Sequence, residues 1–82
     1  MSTRAVRVRY FALLRDERGL AEERVATEAA TAAELYRELR ARHGFSLPGA
    51  RLRVAINDAF VSWEKPLQAG DRVAFIPPVA GG

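Results

Sequence analysis

One segment of this sequence has apolar residues at helical spacing, and this pattern limits the possible folds more than any other feature of the chain. From residue 31 to residue 44, apolar side chains return every three or four residues, as they do on one face of a helix. Thr31 and Glu34 have the spacing of a capping box, and Gly44 can end the helix because glycine tolerates positive φ. The segment predicts one helix of about three turns.

The remaining apolar residues alternate with polar ones, which is the pattern of strands with one buried face. Residues 4–13 alternate in this way, and residues 23–27 are short enough to be the returning arm of a hairpin after a turn at residues 15–19. Residues 51–56 and 59–61 are predicted strands joined at Asn57–Asp58. Residues 72–76 are the last predicted strand, which Pro77–Pro78 ends because proline lacks an N–H.

This order of elements predicts an α+β fold in which a mixed sheet packs on one main helix. One helix covers only one face of a sheet, so the other face stays open. If the first and last strands pair in parallel at the sheet centre, the architecture is the β-grasp, or ubiquitin-like, fold. No linker or repeat interrupts the sequence, and residues 1–82 are therefore predicted to form a single domain.

Composition excludes several classes of function. The chain has no cysteine and one histidine, so neither a thiolate site nor a histidine-rich metal site is expected, and we predict no bound metal. No apolar run approaches the ~18 residues of a membrane span, and the first residues do not resemble a signal peptide. A cytoplasmic protein is therefore expected. The net charge of +3 is too small to require a nucleic-acid partner.

The end of the sequence does not fit a structural role. Val79, Ala80, Gly81 and Gly82 bury little surface, and two glycines lose much backbone entropy when they are ordered. A chain end without Cβ atoms is thin enough to enter a narrow channel in another protein, and the Gly82 carboxylate is a group that can be activated as an acyl donor. Pro77 and Pro78 would stiffen the base of this segment. Residues 77–82 are therefore predicted to form a flexible reactive tail.

Residues 66–82 resemble the small, sulfur-carrier subunits of molybdopterin synthase. They read Pro-Leu-x-x-Gly-Asp-x-Val-Ala-Phe-x-Pro-Pro-Val-x-Gly-Gly, which is the most specific part of the resemblance. Residues 54–57 and 10–16 are also similar to that family, so the resemblance covers essentially the whole chain. The related thiamine sulfur carriers share the ubiquitin-like fold and the Gly-Gly end, but they typically lack the Phe-x-Pro-Pro-Val segment.

The resemblance implies that the Gly82 carboxylate is the reacting group. A ubiquitin-activating-type adenylyltransferase would adenylate it with ATP, and sulfur from a donor such as a cysteine desulfurase would displace AMP to leave a thiocarboxylate. The large subunit of molybdopterin synthase would take up the tail and add the sulfur to cyclic pyranopterin monophosphate. In this scheme the large subunit supplies the catalytic side chains, and this chain supplies the sulfur without binding a cofactor of its own.

Phe60 and Phe75 are candidate partner-binding residues, because alternating strand positions expose the sheet face that the helix cannot cover. Phe75 is the preferred candidate since it lies at the base of the tail. Core packing is the alternative interpretation for each of the two side chains.

Other functions are consistent with the same residues. The carrier could serve thiamine synthesis or tRNA thiolation, or the chain could be a β-grasp adaptor without terminal chemistry. A nucleic-acid-binding module is a further alternative, but acidic residues dispersed through the sequence make nucleic acid an improbable partner. That alternative rests on a predicted arginine-rich edge: Arg4, Arg7, Arg9, Arg51 and Arg53.

Overall fold

The computed structural model describes residues 3–78 of the chain. Within these residues the chain forms five strands and two α-helices, with a short 3-10 turn at Gly49–Arg51 before the third strand. In chain order the elements are β1 (Arg4–Tyr10), α1 (Ala12–Arg18), β2 (Glu22–Thr27), α2 (Ala32–His43), β3 (Arg53–Ile56), β4 (Ala59–Val61) and β5 (Arg72–Ile76).

The strands form one mixed sheet in the order β2-β1-β5-β3-β4. β1 pairs antiparallel with β2 and parallel with β5, while β3 pairs antiparallel with both β5 and β4. The first and last strands are therefore neighbours in the middle of the sheet, as predicted. This sheet packed on α2 confirms the predicted α+β, β-grasp fold.

Helix α2 begins and ends where the sequence predicts. The Thr31 side chain accepts a hydrogen bond from the Glu34 N–H at 3.3 Å, and the Glu34 carboxylate reaches back to the Ala30 N–H at 3.1 Å. Gly44 follows the helix with a φ of 71°, and its N–H donates to the Arg40 carbonyl. These caps satisfy backbone groups that a helix leaves unpaired at its ends.

The core lies between α2 and one face of the sheet. Residues that the two-residue period places on that face are buried, and so are the apolar residues on one side of α2. Burying each large apolar side chain stabilises the fold by about 1.5–3 kcal/mol. The side chains with no exposed surface are Val8, Leu14, Leu35, Leu39, Val73, Phe75 and Ala32.

The hairpin between β3 and β4 turns at the predicted residues. Asn57 and Asp58 have φ values of 52° and 72°, which are the left-handed conformations of a two-residue hairpin loop. The Asn57 side chain supports the turn by accepting from the Arg72 N–H at 3.0 Å and donating to Asp71 at 3.1 Å. Gly70, with a φ of 86°, lies in the turn ahead of β5.

Two predicted boundaries are wrong. β1 ends at Tyr10, and residues 12–18 form the helix α1 where the sequence indicated a strand end and a turn. Within α1 only Leu14 is buried, so the segment carries no helical repeat of apolar residues from which to infer it. β3 begins at Arg53, since the 3-10 turn occupies the residues before it.

Candidate functional site

The parallel pairing of β1 with β5 decides where the chain leaves the sheet. Tyr10 pairs with Phe75 near the ends of the two strands. Beyond that pair, β1 continues into Phe11 and α1, while β5 continues into Pro77. The segment that leads to the Gly-Gly end therefore starts from the centre of the sheet, beside the first residues of α1.

The two prolines at this exit differ in burial. Pro77 is buried against the domain, whereas Pro78 is exposed. Pro77 therefore packs with the domain, and the flexibility of residues 77–82 stays a prediction. Val79, Ala80, Gly81 and Gly82 lie outside the described residues, and their roles stay predictions.

Pro77 and Pro78 form one wall of an apolar groove of about 630 Å³, which we call the tail-base groove. Two segments from elsewhere in the chain form the rest of it, and Leu13 is the most exposed large apolar side chain among them, at 43%. An exposed apolar groove at a chain exit is suited to contact with another protein. Its other lining residues are Phe11, Ala12, Leu47 and Ile76.

The turn from β1 into α1 shapes this groove. Phe11 is extended, with a φ of −128°, and Ala12 then adopts a φ of 52°, a conformation that costs a non-glycine residue about 1–2 kcal/mol. The reversal brings Phe11 and Leu13 to the same groove. The Arg9 guanidinium lies 5.2 Å from the centre of the Phe11 ring, where a cation–π contact holds the ring.

Phe75 is not an interface residue. Its side chain has no exposed surface, because β5 directs it to the α2 side of the sheet. There it packs against Tyr36 and Trp63, with ring centroids 5.1 and 6.0 Å away. The prediction that Phe75 docks on a partner is wrong, and the core alternative is correct.

Phe60 occupies the opposite face of the sheet. It lies on the edge strand β4 and is 57% exposed, with the Arg53 guanidinium 4.1 Å from its ring centre. Across β3 and β5 its neighbours on this face are Ala55 and Ala74, whose small side chains leave the aromatic ring prominent. The structure thus leaves Phe60 available to a partner, and its binding role stays a prediction.

The five arginines of the predicted arginine-rich edge do not lie together in the structure. Arg7, Arg9 and Arg53 share the open sheet face, but the Arg4 side chain lies on the other face and donates to the Ala29 carbonyl. Arg51 lies in the 3-10 turn and not on a strand. The five arginines therefore do not form one continuous phosphate-binding track.

A polar cluster that the sequence did not predict joins α1 to β2. The Arg18 guanidinium donates two hydrogen bonds to the Glu23 carboxylate, at 2.9 and 2.8 Å, and these bonds lower the pKa of Glu23. Tyr10 donates to the same carboxylate at 2.6 Å, and burial together with this bond raises the pKa of its hydroxyl. His43 lies 3.9 Å from Glu23, and burial lowers its pKa despite that carboxylate.

The described residues supply no evident catalytic centre. Among residues 3–78 no group of three or more His, Asp or Glu side chains is placed to hold a metal ion. No helix in that part of the chain is long and apolar enough to cross a bilayer. The features that remain for function are the chain exit, the tail-base groove and the open sheet face.

Comparison with known proteins gives consistent matches over the whole domain. Residues 8–82 match the ThiS family. The molybdopterin synthase sulfur carrier subunit of Escherichia coli (strain K12) is 36% identical over 80 residues, which cover 94% of this chain and 99% of the relative.

Solved structures of similarly described proteins also match this chain. A protein from Pyrococcus furiosus described as molybdopterin converting factor subunit 1 has 32% identity and a TM-score of 0.77, and the match covers 93% of this chain and 99% of that one. A chain in a complex of subunits 1 and 2 of the molybdopterin-converting factor from Helicobacter pylori has 29% identity and a TM-score of 0.65. That match covers 95% of this chain and 99% of the other.

Proposed function

The chain belongs to the ThiS family, and from this premise we propose that it is a sulfur carrier for the synthesis of molybdopterin. The observation that supports the proposal most directly is the chain exit. β5 lies at the sheet centre and ends in Pro77–Pro78, so the last four residues of the sequence follow a rigid, packed base. A rigid base before a thin end suits a carrier whose chemistry takes place inside another protein.

The reacting group in this proposal is the Gly82 carboxylate. An adenylyltransferase of the ubiquitin-activating type joins it to the α-phosphate of ATP, and pyrophosphate leaves. Hydrosulfide attacks the carbonyl and displaces AMP to give the thiocarboxylate directly. When the donor is the persulfide of a cysteine desulfurase, its attack displaces AMP and leaves an acyl disulfide, which a thiol then cleaves to the thiocarboxylate and a disulfide. The product is a thiocarboxylate, whose sulfur is a better nucleophile than the original oxygen. The need for ATP is the reason we assign the protein to the cytoplasm.

The large subunit of molybdopterin synthase is the partner that uses this sulfur. We propose that Gly81 and Gly82 enter its active site, where the large subunit supplies the catalytic side chains. The tail-base groove and Phe60 are the apolar surfaces available for docking, and Arg7 and Arg53 provide positive charge beside them. In this division of roles, the sheet recognises the partner and the tail carries the sulfur.

Service to a second sulfur pathway, such as thiamine synthesis or tRNA thiolation, is compatible with the same terminal chemistry. The relative from Escherichia coli favours molybdopterin, since its name specifies molybdopterin synthase. Nucleic-acid binding has less support, because Arg9 and Arg53 stack on aromatic rings and Arg7 pairs with Glu22 at 3.3 Å. These contacts account for arginines that would otherwise suggest phosphate binding.

The test is the mass of the C-terminal peptide. The purified chain should be incubated with its adenylyltransferase, ATP, Mg²⁺ and sulfide, and we expect one oxygen of Gly82 to be replaced by sulfur. A chain lacking Gly82 is the control and should keep its original mass. If Gly82 is unmodified under conditions that convert a known carrier, the proposal is wrong.

Loss of Gly81 and Gly82 separates a carrier from an adaptor. A carrier without them should bind the large subunit through its sheet but transfer no sulfur. An adaptor without terminal chemistry would keep its full function. Binding and sulfur transfer should therefore be measured on the same truncated chain.

A further inference from the structure

The walls of the tail-base groove come from segments that are far apart in the sequence. Leu13 belongs to α1, and Leu47 belongs to the connection between α2 and β3. Neither segment is part of the sheet, so the backbone ladder does not determine the spacing between them. Side-chain and loop contacts therefore determine how far apart the two walls lie.

Glu17 and Ser46 make one such contact. Glu17 lies one helical turn beyond Leu13 on α1, and Ser46 immediately precedes Leu47. The Ser46 N–H donates to one carboxylate oxygen of Glu17 at 3.1 Å, and the Ser46 hydroxyl donates to the other at 2.6 Å. Hydrogen bonds to an ionised acceptor are stronger than neutral ones, and two of them define an orientation as well as a distance.

Each wall is separately anchored to the domain. Leu14 is fully buried, and Arg18 is bound to Glu23 through two hydrogen bonds, so α1 is attached at its middle and at its end. The Leu47 carbonyl accepts from the Tyr36 hydroxyl at 2.6 Å, which ties the second wall to α2. The Glu17–Ser46 contact is therefore a direct hydrogen-bonded link between two anchored walls.

The side-chain chemistry of the contact agrees with this interpretation. The hydrogen bonds from Ser46 lower the pKa of Glu17, so the carboxylate is ionised at neutral pH. A seven-residue helix such as α1 is too short to be stable alone, because isolated helices need about 12–15 residues. Its placement consequently depends on contacts of this kind.

We propose that Glu17 is a positioning residue, whose carboxylate holds Leu13 and Leu47 at the spacing that lets the tail-base groove receive an apolar side chain of the large synthase subunit. This inference rests on the proposed function. Pro77 and Pro78 line the groove, so a partner that takes up the tail must also cover it. Because its lining is apolar, an apolar side chain fits it better than a charged one.

The test compares three variants for binding to the large subunit. Glu17→Ala removes both hydrogen bonds and should weaken affinity by about two- to fivefold, the range expected for loss of a solvent-exposed charged contact. Glu17→Gln retains an acceptor for Ser46 and should restore most of the affinity. Glu64→Ala is the matched control, because Glu64 also accepts from a serine, Ser62 at 2.8 Å, but that contact is local and joins no segment that lines the groove. It should bind like the parent chain.

A second measurement distinguishes positioning from a general loss of structure. The methyl chemical shifts of Leu13 and Leu47 should change by NMR in Glu17→Ala, because both groove walls then move, while the thermal midpoint stays within a few degrees of that of the parent. If Glu17→Ala nevertheless unfolds, Ser46→Ala removes the shorter hydrogen bond and should show the same loss of affinity.

The outcomes distinguish failure of the positioning role of Glu17 from failure of the proposed function. A parent chain that acquires sulfur and binds the large subunit, with Glu17→Ala binding equally well, would overturn the positioning role alone. Equal loss of affinity in Glu17→Ala and Glu17→Gln, with unchanged methyl chemical shifts, would also overturn it, because the effect would then come from the charge. A parent chain that never acquires sulfur at Gly82 contradicts the proposed function itself.

Discussion

Replacing Phe75 with alanine tests the most consequential difference between the sequence prediction and the structure. The ring is completely buried and contacts the rings of Tyr36 and Trp63. Phe75→Ala would leave a cavity in the middle of the core, because the surrounding strands and α2 can relax only in part. We therefore expect a large loss of stability.

The magnitude follows from the burial of the side chain. Replacing a fully buried phenylalanine by alanine costs about 3–5 kcal/mol. A domain of 82 residues has a total stability of roughly 4–12 kcal/mol, so the variant would lose between about a quarter of it and all of it. Phe75→Leu keeps much of the apolar volume and should cost about 1–2 kcal/mol.

Phe60→Ala is the matched control. Phe60 is 57% exposed, and its specific contact is the Arg53 guanidinium over its ring. An exposed cation–π contact contributes about 0.5–1 kcal/mol, so the loss of stability should not exceed about 1 kcal/mol. If Phe60 docks on the large subunit, this variant should bind it more weakly while remaining folded.

Urea unfolding measures these differences. Trp63 is the single tryptophan, and its fluorescence reports the core because its ring stacks on that of Phe75. Far-UV circular dichroism provides a second probe that does not depend on that ring contact. A Phe75→Ala chain with the unfolding midpoint of the parent but no affinity for the large subunit would refute the core assignment and restore Phe75 as an interface residue.

Three further predictions concern the hairpin, the loss of stability at acidic pH and the tail. Asp58→Gly should stabilise the domain by up to about 1 kcal/mol in thermal unfolding, because glycine adopts the positive φ of this position without strain. Asn57→Gly should instead destabilise the domain, because it removes the hydrogen bonds of the Asn57 side chain. The free energy of unfolding should fall on acidification, first below the ordinary histidine pKa of 6.5 and then below the ordinary glutamate pKa of 4.5. The fold lowers the pKa of both His43 and Glu23, so in each of these pH ranges the unfolded chain binds more protons than the folded chain. In pH titrations of the urea midpoint, His43→Gln should remove the first of these losses, and an unchanged profile would contradict the assignment. Deleting Gly82 should leave the thermal midpoint unchanged while abolishing thiocarboxylate formation, as mass spectrometry would show.

Local signals in the sequence were sufficient for most of the secondary structure. Thr31 and Gly44 define the limits of α2 because capping depends on residues within one helical turn. Asn57 and Asp58 predict their turn because few other side chains tolerate positive φ. The pattern allowed β1 and β5 to pair at the sheet centre but did not select that topology, because alternation in one strand does not specify its partner.

Tertiary packing decided the features that matter for docking. β5 carries apolar residues on both faces, with Ala74 and Ile76 opposite Val73 and Phe75, so the presence of apolar residues alone could not show that Phe75 points to α2. Helix α1 has a single buried residue, and its position depends on partners elsewhere in the chain. Glu17 and Ser46 are 29 residues apart, and no local pattern indicates their contact. The sequence by itself thus determined the strands and α2 and predicted a reactive end, whereas the groove beside Pro77 and Pro78 exists only because folding brings distant segments together.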